Sequence, residues 1–271
     1  MRLSFSTIGC PGWGFSEITA AAQDIGFDGI ELRGVGSRLY TPRCREFSKE
    51  MLPESKKRLN DLRLTVPAIS TGAVLGDPNP VMIENSMMEA KETAWLANEL
   101  GCPTMRLMCS PVPEPGEIDL ALCAEKLAVI CDFCAPLQVV PLIETNGVLA
   151  DSKQMAALLK QVNRSNLGVL WDVHHPFRFF GETPGDTAAR LGKHIKHVHI
   201  KDSIADRSAP NGVRYTLMGY GDVPVENTVL ALKNIGYNGF LSLEWVKRWN
   251  PELEEPGIVF AQYKNYMREI I

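Results

Sequence analysis

Short, nearly continuous apolar runs alternate along this chain with longer stretches in which apolar positions return every three or four residues, the pattern of buried strands exchanging with amphipathic helices. Arg2 to Thr7 reads as a strand broken by Gly9 and Pro11, and Ser16 is placed as the N-cap of a helix from Glu17 to Ile25 that stops at Gly26. The strand Gly29 to Leu32 follows, then a helix from Glu50 to Leu62, a strand from Leu64 to Ser70, and a long helix carrying Ile83, Met87, Ala90, Ala94, Ala97 and Leu100 on one side. Further strands are expected at Thr104 to Met108, Val139 to Ile143, Gly168 to Trp171, Ile195 to Ile200 and Phe240 to Leu243, separated by helices at Leu120 to Phe133, Lys153 to Gln161, Thr187 to Leu191 and Val225 to Ile235. Gly257 to Ile271 closes the chain as a helix. Helical crossovers force neighbouring strands to run parallel, and about eight such units can close into a (β/α)8 TIM barrel. A doubly wound open sheet uses the same units, but no Gly-x-Gly-x-x-Gly follows the first strand and no phosphate-loop lysine is present.

Length changes this picture little: 271 residues with no obvious interdomain linker suit one barrel domain spanning 1–271. The net charge of −4, without a basic run, disfavours a nucleic-acid partner. No stretch approaches a membrane span and the first residues lack a signal-peptide core, so a cytoplasmic protein is expected. Seven irregularly spaced cysteines suit free thiols in a reducing compartment, and Cys131 and Cys134 fit core packing better than a zinc site.

The chemistry lies in what ends the later strands. Glu144 follows Pro-Leu-Ile, Asp172 follows Val-Leu-Trp, His199 is the second histidine of His-Val-His, and Glu244 follows Leu-Ser-Leu. In a parallel barrel those ends ring one axis, so four residues distant in sequence can converge. Three carboxylates brought together repel one another, and a divalent cation relieves that repulsion. Three oxygen ligands and one imidazole suit one ion of Mn²⁺, Mg²⁺, Co²⁺ or Zn²⁺. His175 stands where it can reach a substrate oxygen, whereas His197, one layer deeper, reads as a core group or a support for the ligands. Trp13, Trp171, Phe177, Phe179, Trp245 and Trp249 fall near the mouth segments and are candidates to wall a sugar pocket.

These residues, with Gly-Phe-Asp-Gly-Ile-Glu-Leu at 26–32, His-Val-His-Ile-Lys-Asp at 197–202, Gly-Tyr-Gly-Asp at 219–222 and Gly-Tyr-Asn-Gly-Phe-Leu-Ser-Leu-Glu-Trp at 236–245, give the chain a resemblance to the sugar phosphate isomerase/epimerase family of xylose-isomerase-like barrels. The resemblance implies that Glu144 and Glu244 both touch the metal and act as a catalytic acid–base pair, that Asp172 and His199 complete the metal set, and that His175 orients substrate. Some ketose 3-epimerases of the family place an arginine where this chain has Ala205; Arg207 or Arg214 stands in as the substrate-binding candidate, with Lys201 a further one for a carboxylate or hydroxyl. The implied reaction is proton transfer on a sugar or keto-polyol through an enediolate. A keto-polyol dehydratase of the same fold and a non-catalytic sugar-binding barrel remain open. A metal nuclease of the apurinic endonuclease kind is disfavoured because no histidine occurs in the early strands. Pairing of copies through outer helices is also left open.

Overall fold

The computed structural model describes residues 1–209 and 211–271. Eight parallel strands form the sheet: β1 (Arg2–Ser6), β2 (Gly29–Glu31), β3 (Ile69–Val74), β4 (Thr104–Met108), β5 (Val140–Glu144), β6 (Gly168–Asp172), β7 (Ile195–Ile200) and β10 (Phe240–Leu243). Their order is β2-β1-β10-β7-β6-β5-β4-β3, and parallel bridges Gly29 to Thr65 and Leu32 to Ile69 bring its two edges together, closing the ring of a TIM barrel. Between strands lie α1 (Phe15–Ile25), α2 (Leu52–Asp61), α3 (Pro80–Leu100), α4 (Leu120–Cys134), α5 (Ser152–Val162), α6 (His174–Phe180), α7 (Pro184–Leu191) and α8 (Val225–Asn234), with α9 (Pro256–Ile270) closing the chain. The helices bury one face against the strands, and their buried side chains join those of the barrel in one apolar core.

Three expectations need correction. The third strand begins at Ile69 rather than Leu64. Pro67 has no N–H to give the ladder, so pairing around it is reduced to separate bonds: Thr65 N–H donates to Asp28 O, Ile30 N–H to Thr65 O and Leu32 N–H to Ala68 O. Helix α1 is capped by Gly14, whose N–H donates to the Glu17 carboxylate at 2.7 Å, and Ser16 lies inside the helix. The cysteines are not all free thiols. Cys109, just past β4, and Cys123, in the first turn of α4, form a disulfide with Cα atoms 6.2 Å apart, while the other five are free and buried. Cys131 and Cys134 are among those five, packed in the core as expected.

An antiparallel hairpin that the apolar pattern did not suggest, β8 (Asp202–Ala205) with β9 (Val213–Thr216), rises from the end of β7. Its base is fixed by Asp202, whose carboxylate accepts from the backbone N–H groups of Ser203, Gly219, Gly221 and Val223 at 2.8–3.2 Å. That explains Gly221: a Cβ there would lie 2.0 Å from Asp202 Oδ1. Replacing Asp202 by Ala strands these donors and lowers stability by about 2–3 kcal/mol, read as a shift of the urea midpoint at unchanged slope. A loss below about 0.5 kcal/mol would show that water replaces the carboxylate without cost.

Candidate metal centre

Strand register brings the site together. Asp172, last in β6, sits directly across from His199 in β7, and Ser242 of β10 pairs with His199 on the other side. Glu244 lies one step beyond β10, its N–H donating to Ile200 O at 3.0 Å, and Glu144 ends β5 two strands away. Glu144, Asp172, His199 and Glu244 thereby present ligand atoms all within 4.8 Å of one another, every one of them buried. His199 Nδ1 is 3.5 Å from Glu144 Oε1, 3.8 Å from Asp172 Oδ2 and 3.4 Å from Glu244 Oε1, yet among the described residues it has no hydrogen-bond partner.

The other face of that imidazole explains its orientation. His199 Nε2–H donates to both oxygens of Glu31, at 2.9 and 3.0 Å, and His197 Nε2–H donates to Glu31 at 2.9 Å. Ser70 Oγ adds a third donor at 2.6 Å. Burial disfavours the charged form of Glu31, but His199 and His197 outweigh it and hold its carboxyl well below the ordinary range. Glu31 at Nε2 turns Nδ1 toward the three carboxylates, the arrangement that orients a metal-binding histidine. Burial disfavours the charged imidazole, but Glu31, Glu244 and Glu144 outweigh it and hold His199 well above its ordinary range, so a bound ion takes the place of the Nδ1 proton. A buried nitrogen without a partner, ringed by three carboxylate oxygens, is chemically suited to one divalent cation. Converting Glu31 to Gln puts an NH₂ among those donors and weakens Mn²⁺ binding by about 10–100-fold, as a competitive chelator titration would read. Unchanged affinity would mean that the imidazole holds its orientation without Glu31.

Two cations brace the carboxylates. Lys201, fully buried, reaches Asp172 Oδ2 at 2.5 Å and Glu244 Oε2 on its other side. Burial would strip its proton, but Asp172 and Glu244 outweigh that and hold the ammonium well above its usual range. Arg106, from β4, lies with Nε 3.4 Å from Glu144 Oε2. Burial raises the Glu144 and Glu244 carboxyls, and the nearest cations, Arg106 and Lys201 respectively, together with His199, bring both below the ordinary range. Each glutamate therefore turns one oxygen toward His199 and the other toward a permanent positive charge. His175 donates from Nδ1 to Thr145 O at 2.9 Å, leaving Nε2 as its acceptor in the neutral form.

Arg106, Glu144, His175, Lys201 and Glu244 line a cavity of about 410 Å³ at the barrel mouth, shared with Arg33, Tyr215 and Trp249. A roomier groove, about 930 Å³, lies on the outer surface between α2 and α3, but it shares no residue with this site. The chain matches the model of the xylose isomerase-like TIM barrel over residues 19–262. The chain belongs to that family. Solved structures similar to this family member include D-allulose 3-epimerase from Methylomonas sp. in complex with D-allulose, with TM-score 0.79 and 16% identity over 100% of this chain and 97% of that one. The probable 3-DHS dehydratase AsbF of Bacillus anthracis gives 0.78 and 20% over 99% of both chains, and the 3-keto-D-glucoside 4-epimerase YcjR of E. coli gives 0.75 and 16% over 99% of both. At these identities the likeness establishes the fold alone. No curated protein matches the chain.

Of the sequence candidates, Glu144, Asp172, His199, Glu244, His175 and Lys201 meet in this xylose isomerase-like barrel at one place. Arg214 does not join them. It sits on β9 with a side chain 61% exposed, its Nε 3.6 Å from Asp206. Arg207 is likewise on the hairpin loop. Lys201 is committed to two carboxylates of the site. Of the six aromatic candidates Trp249 lines the cavity, while Trp171 and Trp245 are core. Sequence reasoning passed over Glu31, Arg33 and Arg106. Among the described residues, no helix is long and apolar enough to cross a membrane.

Proposed function

We propose that this barrel is a metal-dependent isomerase or epimerase of a sugar or keto-polyol. The observation that carries the reading is the bare Nδ1 of His199 facing three carboxylates, with its opposite nitrogen fixed by Glu31. Glu144, Asp172, His199 and Glu244 would hold one divalent ion, which when bound supplies electrophilic polarisation of a substrate carbonyl and so acidifies the neighbouring C–H.

The rest is the work of side chains. Glu144 and Glu244 come from strands on opposite sides of β6 and β7, so a substrate lying between them meets a carboxylate on each face. Arg106 and Lys201 keep these carboxylates ionised, which readies either one to accept the C–H proton, provided the substrate brings it within about 3 Å. Return of a proton from the other face inverts the carbon, and protonation of the adjacent carbon of the enediolate exchanges aldose for ketose. His175 Nε2 is placed to accept from a substrate hydroxyl and fix its position.

The test is solvent exchange. The protein is stripped of metal, reloaded with Mn²⁺, Co²⁺ or Mg²⁺, and incubated in D₂O with ketoses, aldoses and their acid and phosphate derivatives, which are then read by NMR. Metal-dependent deuterium at a carbon beside a carbonyl supports the reading, and the product separates epimerisation, isomerisation and elimination of water. A protein that binds metal but labels none of them contradicts it.

A further inference from the structure

The wall of the cavity carries two guanidinium groups: Arg33, which the reaction outlined above does not use, and Arg106, which it uses only as the charge beside Glu144. Arg33 follows β2 and Arg106 lies within β4, and both line the cavity while being at least nine-tenths buried. Among the described residues Arg106 Nε and Nη1 are buried without a hydrogen-bond partner, with Glu144 Oε2 3.4 Å from Nε. Arg33 is held in place by Nη1 donating to Leu39 O at 2.7 Å, in a loop where Gly34 takes φ +79° because a Cβ would lie 1.9 Å from Arg38 O. Burial, then the charge of Arg106, lowers Arg33 to about 10, so the two cations are close enough to oppose each other. Buried, unpaired N–H donors beside a like charge are costly, and an oxyanion removes both costs at once. Lys201 cannot serve that purpose, since Asp172 and Glu244 already hold it.

Charge balance selects the kind of anion. Four carboxylates, Glu31, Glu144, Asp172 and Glu244, face three permanent cations, Arg33, Arg106 and Lys201. Glu89 and Arg248 both act on Arg33 and add one charge of each sign. With one divalent ion held by His199 in place of its Nδ1 proton, the charges named leave a single positive charge over. A planar, singly charged carboxylate matches both that excess and the fork of a guanidinium, whereas a phosphate dianion overshoots it.

We propose that Arg106, backed by Arg33, is the subsite for a carboxylate carried by the substrate, so that this barrel acts on a polyhydroxy acid rather than on a neutral sugar. This assignment rests on the isomerase or epimerase reading of the same site, but it is tested by binding alone. Affinities of the Mn²⁺-loaded full chain are measured by calorimetry for matched sets: D-glucuronate, D-glucose and D-glucose 6-phosphate, and D-galacturonate, D-galactose and D-galactose 6-phosphate. In at least one set the acid binds ten-fold or more tighter than both the neutral sugar and the phosphate. Arg106→Met abolishes that preference and Arg106→Lys keeps part of it, with one Mn²⁺ per chain in each variant confirming an intact fold. No acid preference in any set, or a preference that survives Arg106→Met, overturns the proposal, and a phosphate preference overturns it in favour of a phosphorylated substrate. Deuterium exchange on a neutral sugar with no acid preference would leave the isomerase reading standing while this one fails.

Discussion

Substituting Gln for Glu144 or Glu244 slows interconversion of substrate and product by about 10²–10⁴-fold in either variant, measured as the rate of product formation at saturating metal. The amide keeps the shape of each side chain but cannot take a proton. It also keeps an oxygen that can face His199, so metal is still bound, more weakly, and the loss lies in turnover. Either variant alone is sufficient for the effect in an epimerisation, because one carboxylate removes the proton and the other governs its return. If both variants turn over at the wild-type rate with metal bound, the two glutamates are ligands only and the base is elsewhere. If only one is impaired, a single base serves both steps, and transfer between adjacent carbons becomes the better description.

Lys201→Met has the second large effect, on stability. Methionine retains most of the buried stem, so the loss is chiefly that of the charge lodged between Asp172 and Glu244. Leaving buried carboxylates without their counter-charge costs about 3–5 kcal/mol in metal-free protein, read by urea unfolding in chelator. Added Mn²⁺ narrows the gap, because an ion held by the same residues supplies the missing charge. The sign with pH follows from Glu244, whose carboxyl lies below its ordinary range in the fold. Its contribution is fully present above the unfolded carboxylate range and is lost as pH falls through the lower, folded one. The gap between wild type and Lys201→Met is therefore widest near neutrality and closes in acid. An equal loss with and without Mn²⁺ would separate Lys201 from the cation site.

Much of this architecture is written in local pattern. Strands β4 and β7 fall where apolar runs end in a turn, and the four metal-type residues stand out because each is a charged or imidazole side chain terminating such a run. Glu31 follows the same rule after Gly-Ile, and two histidines with no acceptor in their own strand called for it; the pairing spans 166 and 168 residues, which only barrel closure makes visible. Arg106 carried a different signal, a guanidinium in the middle of an apolar strand, which is costly unless it faces a polar cavity. The β8–β9 hairpin was harder to see. Its strands are short and half-polar and are organised by Asp202 gathering N–H groups from a loop 17 to 21 residues away, so local alternation barely marks it. Arg214 was misplaced for that reason, since its position depends on a hairpin whose outward face has no apolar signature. The Cys109–Cys123 pair likewise depends on how β4 hands over to α4, not on spacing.

The account stands on one buried cation site, so the most direct measurement is Mn²⁺ binding to the stripped full chain, by equilibrium dialysis with electron spin-echo detection of ligand nitrogen. It predicts one ion per chain with a single imidazole nitrogen in its coordination shell, and loss of that nitrogen signal in His199→Ala with binding at least about 10-fold weaker. No stoichiometric ion, or an ion whose nitrogen signal survives His199→Ala, would contradict it.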